Sequence, residues 1–155
     1  QKEIYDGAIP SGNSVAVLDL IRLGKLTMEK EFDIKAEVLF KTFSNEISQM
    51  PNVYPQMLIA LDFALGPSKE IVIAGERESK DTIQMFHSIY ARFIPNKVVA
   101  HRPTAGKEAE AVVSLIPFLK EQLPLEGKTT AYVCTNYVCK FPATSVKKLE
   151  ELLKE

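Results

Sequence analysis

The sequence has 155 residues, 46% apolar and 25% charged, enough for one compact globular unit or two small packed ones. A formal charge of −1, with Lys and Arg scattered along the chain, makes no basic patch, so neither nucleic acid nor a membrane surface is expected as a partner. No apolar run approaches the roughly 18 residues of a membrane span. Gln1-Lys2-Glu3 begins neither a signal nor a transit peptide, and two cysteines do not make a secreted disulfide framework, so a reducing cytoplasm is the expected location. The opening YDGAIPSGNS, with no initiator Met before it, reads as a connection inside a larger protein, which makes the chain an expected fragment.

From Ser14 to Gly24 the apolar positions Val15, Val17, Leu18, Ile21 and Leu23 predict a helix, with Ser11 or Asn13 as cap and Gly24 as stop. A second helix, capped by Thr27, carries Phe32, Ala36, Leu39, Phe40, Phe43, Ile47 and Met50 at intervals of three and four, one wide stripe ended by Pro51. Pro55 suits the first turn of a third helix bearing Met57, Leu58, Leu61 and Phe63, stopped by Gly66-Pro67. After that break the pattern changes. EIVIAGE (70–76), KVVAH (97–101) and TTAYVC (129–134) read as short buried strands. Amphipathic helices follow each: 79–93, about 107–121 with Pro117 kinking it or resetting its start, and a last one capped by Thr144. That alternation predicts an α/β fold, with helices in 1–66 and a small three-stranded parallel sheet with flanking helices (βαβαβα) in 67–155.

Ligands in such sheets sit at the carboxyl ends of the strands, where this sequence would gather Gly75-Glu76-Arg77, His101-Arg102-Pro103 and Cys134-Thr135-Asn136. Solvated loop residues explain the same set more simply. Gly75 starts no dinucleotide fingerprint, and Ala105-Gly106-Lys107-Glu108 lacks the rest of a phosphate loop, so no cofactor is expected. In a straight strand Cys134 and Cys139 would lie about 17 Å apart on opposite faces. Only a turn at Thr135-Asn136-Tyr137 would bring them together, so a disulfide is possible without being demanded, and two reduced cysteines are the simpler reading. Zinc would need two more ligands, and His87 and His101 are the only histidines, so no metal is expected. The spacing also differs from the C-x-x-C of a thioredoxin-type dithiol.

YDGAIPSGNSVAVLDLIRL, YPQMLIALDFALGPSKEIVIAGE, PNKVVAHRP and AYVCTNYVCKFPAT together resemble the C-terminal part of the YyaL-like proteins, known in animals as spermatogenesis-associated thioredoxin-domain proteins. The resemblance implies a larger chain with an amino-terminal thioredoxin-like domain and a helical α/α toroid similar to N-acylglucosamine 2-epimerases and six-hairpin glycosidases. This sequence would then hold the toroid's last helices and a small α/β appendage. In a toroid the loops between hairpins line the cavity, so Asp6, Ser11 and Asn13 become candidate groups for a carbohydrate-like ligand. Turn and capping roles explain those residues equally well. Neither opposed carboxylates nor a His pair for proton transfer is recognisable, so a catalytic partner for Asp6 would have to lie outside this chain.

The leading expectation is a non-catalytic fragment that braces the toroid and docks the other domains of the same protein. One alternative is half of a carbohydrate-active site. The other is a redox role in which Cys134 and Cys139 exchange with the thioredoxin-like domain.

Overall fold

The computed structural model describes residues 3–154 and divides the chain into two compact units, one ending at Pro67 and one beginning at Ser68. Among the described residues no helix is long and apolar enough to cross a membrane.

The first unit consists of three helices, α1 (Gly12–Thr27), α2 (Lys30–Gln49) and α3 (Pro55–Leu65), with a short 3-10 turn at Pro51–Val53. Ser11 caps α1 by accepting the amide of Ser14. Gly24 does not stop this helix. It lies buried inside it, where an added Cβ would stand 2.5 Å from the Asp33 carboxylate of α2, so the residue serves close approach of the two helices. The stop is Met28, in the left-handed region at φ 62°, whose N–H reaches the Gly24 carbonyl. Thr27 does not cap α2 as expected. Its hydroxyl donates to the Leu23 carbonyl and accepts from Glu29, closing α1, while α2 starts at Glu29 with no side-chain cap. Only Ala36, Phe43 and Ile47 of the predicted stripe are buried, and Met50 is exposed. Pro55 occupies the first turn of α3, where its missing N–H costs nothing.

The second unit is built on β1 (Lys69–Ala74), β2 (Lys97–Arg102), β3 (Thr130–Thr135) and β4 (Val138–Cys139), in the order β2-β1-β3-β4. The predicted all-parallel, three-stranded sheet is corrected to a four-stranded mixed one. β1 and β2 are parallel, but β3 runs antiparallel to β1, with Ala74 opposite Thr130 and Lys69 opposite Thr135. The connection explains this direction. Pro117, one residue past the end of helix α5 (Gly106–Leu115) with Ile116 between, opens a five-residue 3-10 helix, after which the chain leads to a turn at Leu125–Lys128. Glu126 and Gly127, both at positive φ, make that turn and deliver β3 beside the carboxyl end of β1. β1 and β3 are interior strands, hence their continuous burial, while edge strand β2 alternates.

Helices α4 (Lys80–Tyr90) and α6 (Val146–Lys154) cover one face of the sheet. Met85 and Ile89 of α4 and Leu149, Leu152 and Leu153 of α6 pack on Ile71, Ile73, Ala131 and Val133. Ile83 and Tyr90 of α4 lie off the face turned to this core and stay exposed, as does Phe93 beyond the helix. Ser145, rather than Thr144, accepts the amide of Lys148 in the first turn of α6.

Candidate functional site

The carboxyl ends of the parallel pair β1 and β2 open into a cleft of about 510 Å³, walled by α4 and α5. This size lies within the usual range for small-molecule sites. Both histidines of the chain border it, His87 from the last turn of α4 and His101 from β2. His101 Nε2 lies 3.0 Å from the Gly75 carbonyl. A carbonyl can only accept, so Nε2 is the donor in this contact. The edge-to-face contact of the His101 and Phe86 rings, centroids 5.9 Å apart, holds the imidazole further. Arg77 and Glu108 bridge across the cleft at 3.3 Å, over an apolar floor of Ile83, Phe86 and Val112. Such a floor with polar groups at its margin can hold a small molecule with one apolar side. Among the described residues no three His, Cys, Asp or Glu side chains are grouped to hold a metal ion.

Beneath the cleft Gly75 is buried against hydroxyls. Ser79 caps α4 through the amide of Thr82, and the hydroxyls of Ser79, Thr82 and Thr129 bond one another at 2.8 to 3.3 Å. Of the three loops assigned to one strand edge, those after β1 and β2 do converge here. Cys134-Thr135-Asn136 does not, because the reversed β3 carries it to the opposite edge beside Ser68 and Lys69. What the sequence left unseen was that His87 and His101 border one cleft, since the register of α4 decides it and local spacing does not.

Asp6, Ser11 and Asn13 lie together in the first unit, each side chain engaged in at least one hydrogen bond. The buried Asp6 carboxylate accepts the Ser11 amide at 2.9 Å and, 51 residues away in sequence, the Met57 amide at 3.1 Å. Met57 lies in the first turn of α3, so Asp6 caps a helix it does not belong to. Ser11 accepts the Ser14 amide and donates to the Ser14 hydroxyl, and the Asn13 amide reaches the Glu3 carbonyl at 2.6 Å.

Cys134 and Cys139 are joined as a disulfide. Asn136 at φ 49° and Tyr137 at φ 65° form a two-residue turn between β3 and β4, the left-handed pair that a tight hairpin requires. Thr135 pairs with Val138 and the Lys140 amide bonds the Val133 carbonyl, so Cys134 and Cys139 form the intervening pair, where opposed Cα atoms come closest. Their Cα atoms are 3.8 Å apart. A bridge closing so short a loop contributes only about 2 kcal/mol by the chain-entropy relation.

Comparison with known proteins adds the family. Human spermatogenesis-associated protein 20 is 36% identical over 152 residues, which is 98% of this chain and 19% of that protein. The rat protein of the same name is 33% identical over 154 residues, again 19% of its length. An uncharacterised protein of Caenorhabditis elegans, B0495.5, is 26% identical over 153 residues and 20% of its length. No family model matches the chain. No solved structure matches it either. The chain thus spans about a fifth of the length of the curated relatives it matches, and does so with nearly all of its own residues. It belongs to the family of spermatogenesis-associated protein 20, and matches one region of those longer relatives.

Proposed function

We propose that this chain is a non-catalytic bracing region of a larger cytoplasmic protein, in which α1 to α3 close a helical toroid and residues 68–155 form its α/β appendage. The observation that carries this reading is the unpartnered apolar surface of the first unit. Ile34 and Val38, one turn apart on α2, are 59% and 57% exposed, and Ile59 of α3 is 51% exposed. α1 packs against both α2 and α3. Those two leave between them a groove of about 310 Å³ floored by Phe40, Ile47 and Leu61. A groove of that kind suits a further amphipathic helix, and the occupant we assign is a helix from the rest of the same protein, which the fivefold greater length of the relatives can supply.

The test is made in the full-length protein. Ile34→Asp with Val38→Asp should lower its thermal transition and free the region for early proteolysis, while isolated residues 68–155 keep their spectrum. Unchanged stability and proteolysis of the double variant would remove the docking role.

A further inference from the structure

We infer that the hairpin of β3 and β4 is a thiol–disulfide exchange site for a dithiol carried on a protein, with Cys139 as the attacked sulfur and Glu70 as a positioning residue. Register places three side chains in a row on one face of the sheet: Glu70 on β1 opposite Cys134 on β3, and Cys134 opposite Cys139 on β4. The two sulfurs are not equivalent. Cys134 is 2% exposed in an interior strand, whereas Cys139 is exposed on the last strand of the sheet. An attacking thiolate can therefore approach only the second. Around Cys139 stand Val138 and Phe141, 74% and 90% exposed, an apolar lip that suits a protein partner better than a small hydrophilic thiol.

Glu70 is itself buried, and its carboxylate is committed to this hairpin. It accepts the Ser68 hydroxyl at 2.7 Å and the Tyr137 amide at 2.9 Å. Asn136 adds its own amide to the Ser68 carbonyl and takes the Ser68 amide on its side chain. Tyr137 sits in the left-handed region that a bulky residue seldom adopts, so the bond to Glu70 helps to hold the turn that keeps the cysteines opposed.

Exchange proceeds in two steps. The partner's thiolate attacks Sγ of Cys139, forming a mixed disulfide, and the Cys134–Cys139 bond breaks with its electron pair left on Cys134, which takes a proton from water. The partner's second thiolate then attacks the partner's own sulfur in the mixed disulfide and releases Cys139 as a thiolate that is protonated in turn. Two electrons and two protons have passed from the dithiol to the cystine, and the partner has closed its own disulfide.

The experiment uses the whole chain in dithiothreitol and in glutathione redox buffers without denaturant, with alkylation and intact mass as readout. Wild type should interconvert completely between the two states along a two-electron curve. Cys134→Ser, which leaves Cys139 as a free thiol, should form a mixed disulfide with an activated-disulfide reporter, releasing the reporter's thiolate, at least tenfold faster than Cys139→Ser. Glu70→Gln, which keeps the size but loses one acceptor, should shift the midpoint threefold or more toward the dithiol, and Ser68→Ala should shift it in the same direction if Glu70→Gln fails to fold. A disulfide that resists strongly reducing buffer, equal trapping at both sulfurs, or an unmoved midpoint in the folded variants would overturn the assignment.

Discussion

Asp6 shows how one carboxylate can organise a helical unit. Its two oxygens take amides from two separate helix starts, Ser11 before α1 and Met57 in α3, so the negative charge sits where helix dipoles and unpaired N–H groups favour it. Asp6→Ala should destabilise the first unit by about 2 to 4 kcal/mol, from two charge-assisted hydrogen bonds and a lost cap. Asp6→Asn, retaining one acceptor, should recover part of the loss. Urea denaturation followed by circular dichroism reads this out, and wild-type stability in Asp6→Ala would return the residue to the list of candidate ligand groups. Ser11 was legible as a cap because it precedes an apolar periodic run. The partner of Asp6 was not, since nothing in local spacing reaches across 51 residues. Tyr132 gives a second test at this scale. Burial raises its phenol above the usual value of 10. A raised folded-state value means that the folded chain holds its proton longer than the unfolded one. The contribution of Tyr132 to stability is thus complete below pH 10 and lost as pH climbs through the folded value. Stability measured between pH 9 and 12 should fall less steeply in Tyr132→Phe than in wild type; equal slopes would show that the phenol is not shielded.

At the scale of elements, the strands announced themselves and their directions did not. TAYVC is an apolar β-branched and aromatic run whichever way it points, and only the Glu126-Gly127 turn and the Pro117 break settle that it enters from the carboxyl end of β1. The register of α4 was hidden for a different reason. Its buried face includes Thr82 and Ser88, whose hydroxyls are satisfied by the Thr129 and Ser79 hydroxyls and by Glu150, so counting apolar residues alone does not find it. That hydroxyl cluster fixes the junction between β1 and α4 tightly. A Cβ on Gly75 would stand 2.7 Å from the Thr129 hydroxyl and 2.8 Å from that of Thr82, both in buried residues. Gly75→Ala should cost about 1 to 3 kcal/mol by overpacking. It should also move the His101 ring, whose proton is held by the Gly75 carbonyl. The imidazole resonances of His101 report this directly, and an unshifted ring in a stable variant would contradict the tight junction.

For the whole molecule, the two units differ in how completely their apolar surface is used. The second closes a core of Ile71, Ile73, Met85, Ile89, Val133, Leu149 and Leu152 drawn from both helix and strand layers of residues 68–155. The first has three helices, and Ile34, Val38, Met50, Ile59 and Leu65 all remain more than half exposed. A unit of under 70 residues that leaves so much apolar area in water is expected to be marginal by itself, because its burial is small against the chain entropy it must offset. Residues 68–155 expressed alone should therefore unfold in one cooperative transition with a dispersed amide spectrum, whereas 3–67 alone should bind a hydrophobic dye and associate. Adding a peptide spanning the helical regions of the larger protein should suppress that dye binding in proportion to the helix that seats in the groove of Phe40, Ile47 and Leu61. If 3–67 is instead a monomer with no dye binding, its exposed side chains are an ordinary solvated surface, and the bracing role loses its physical basis.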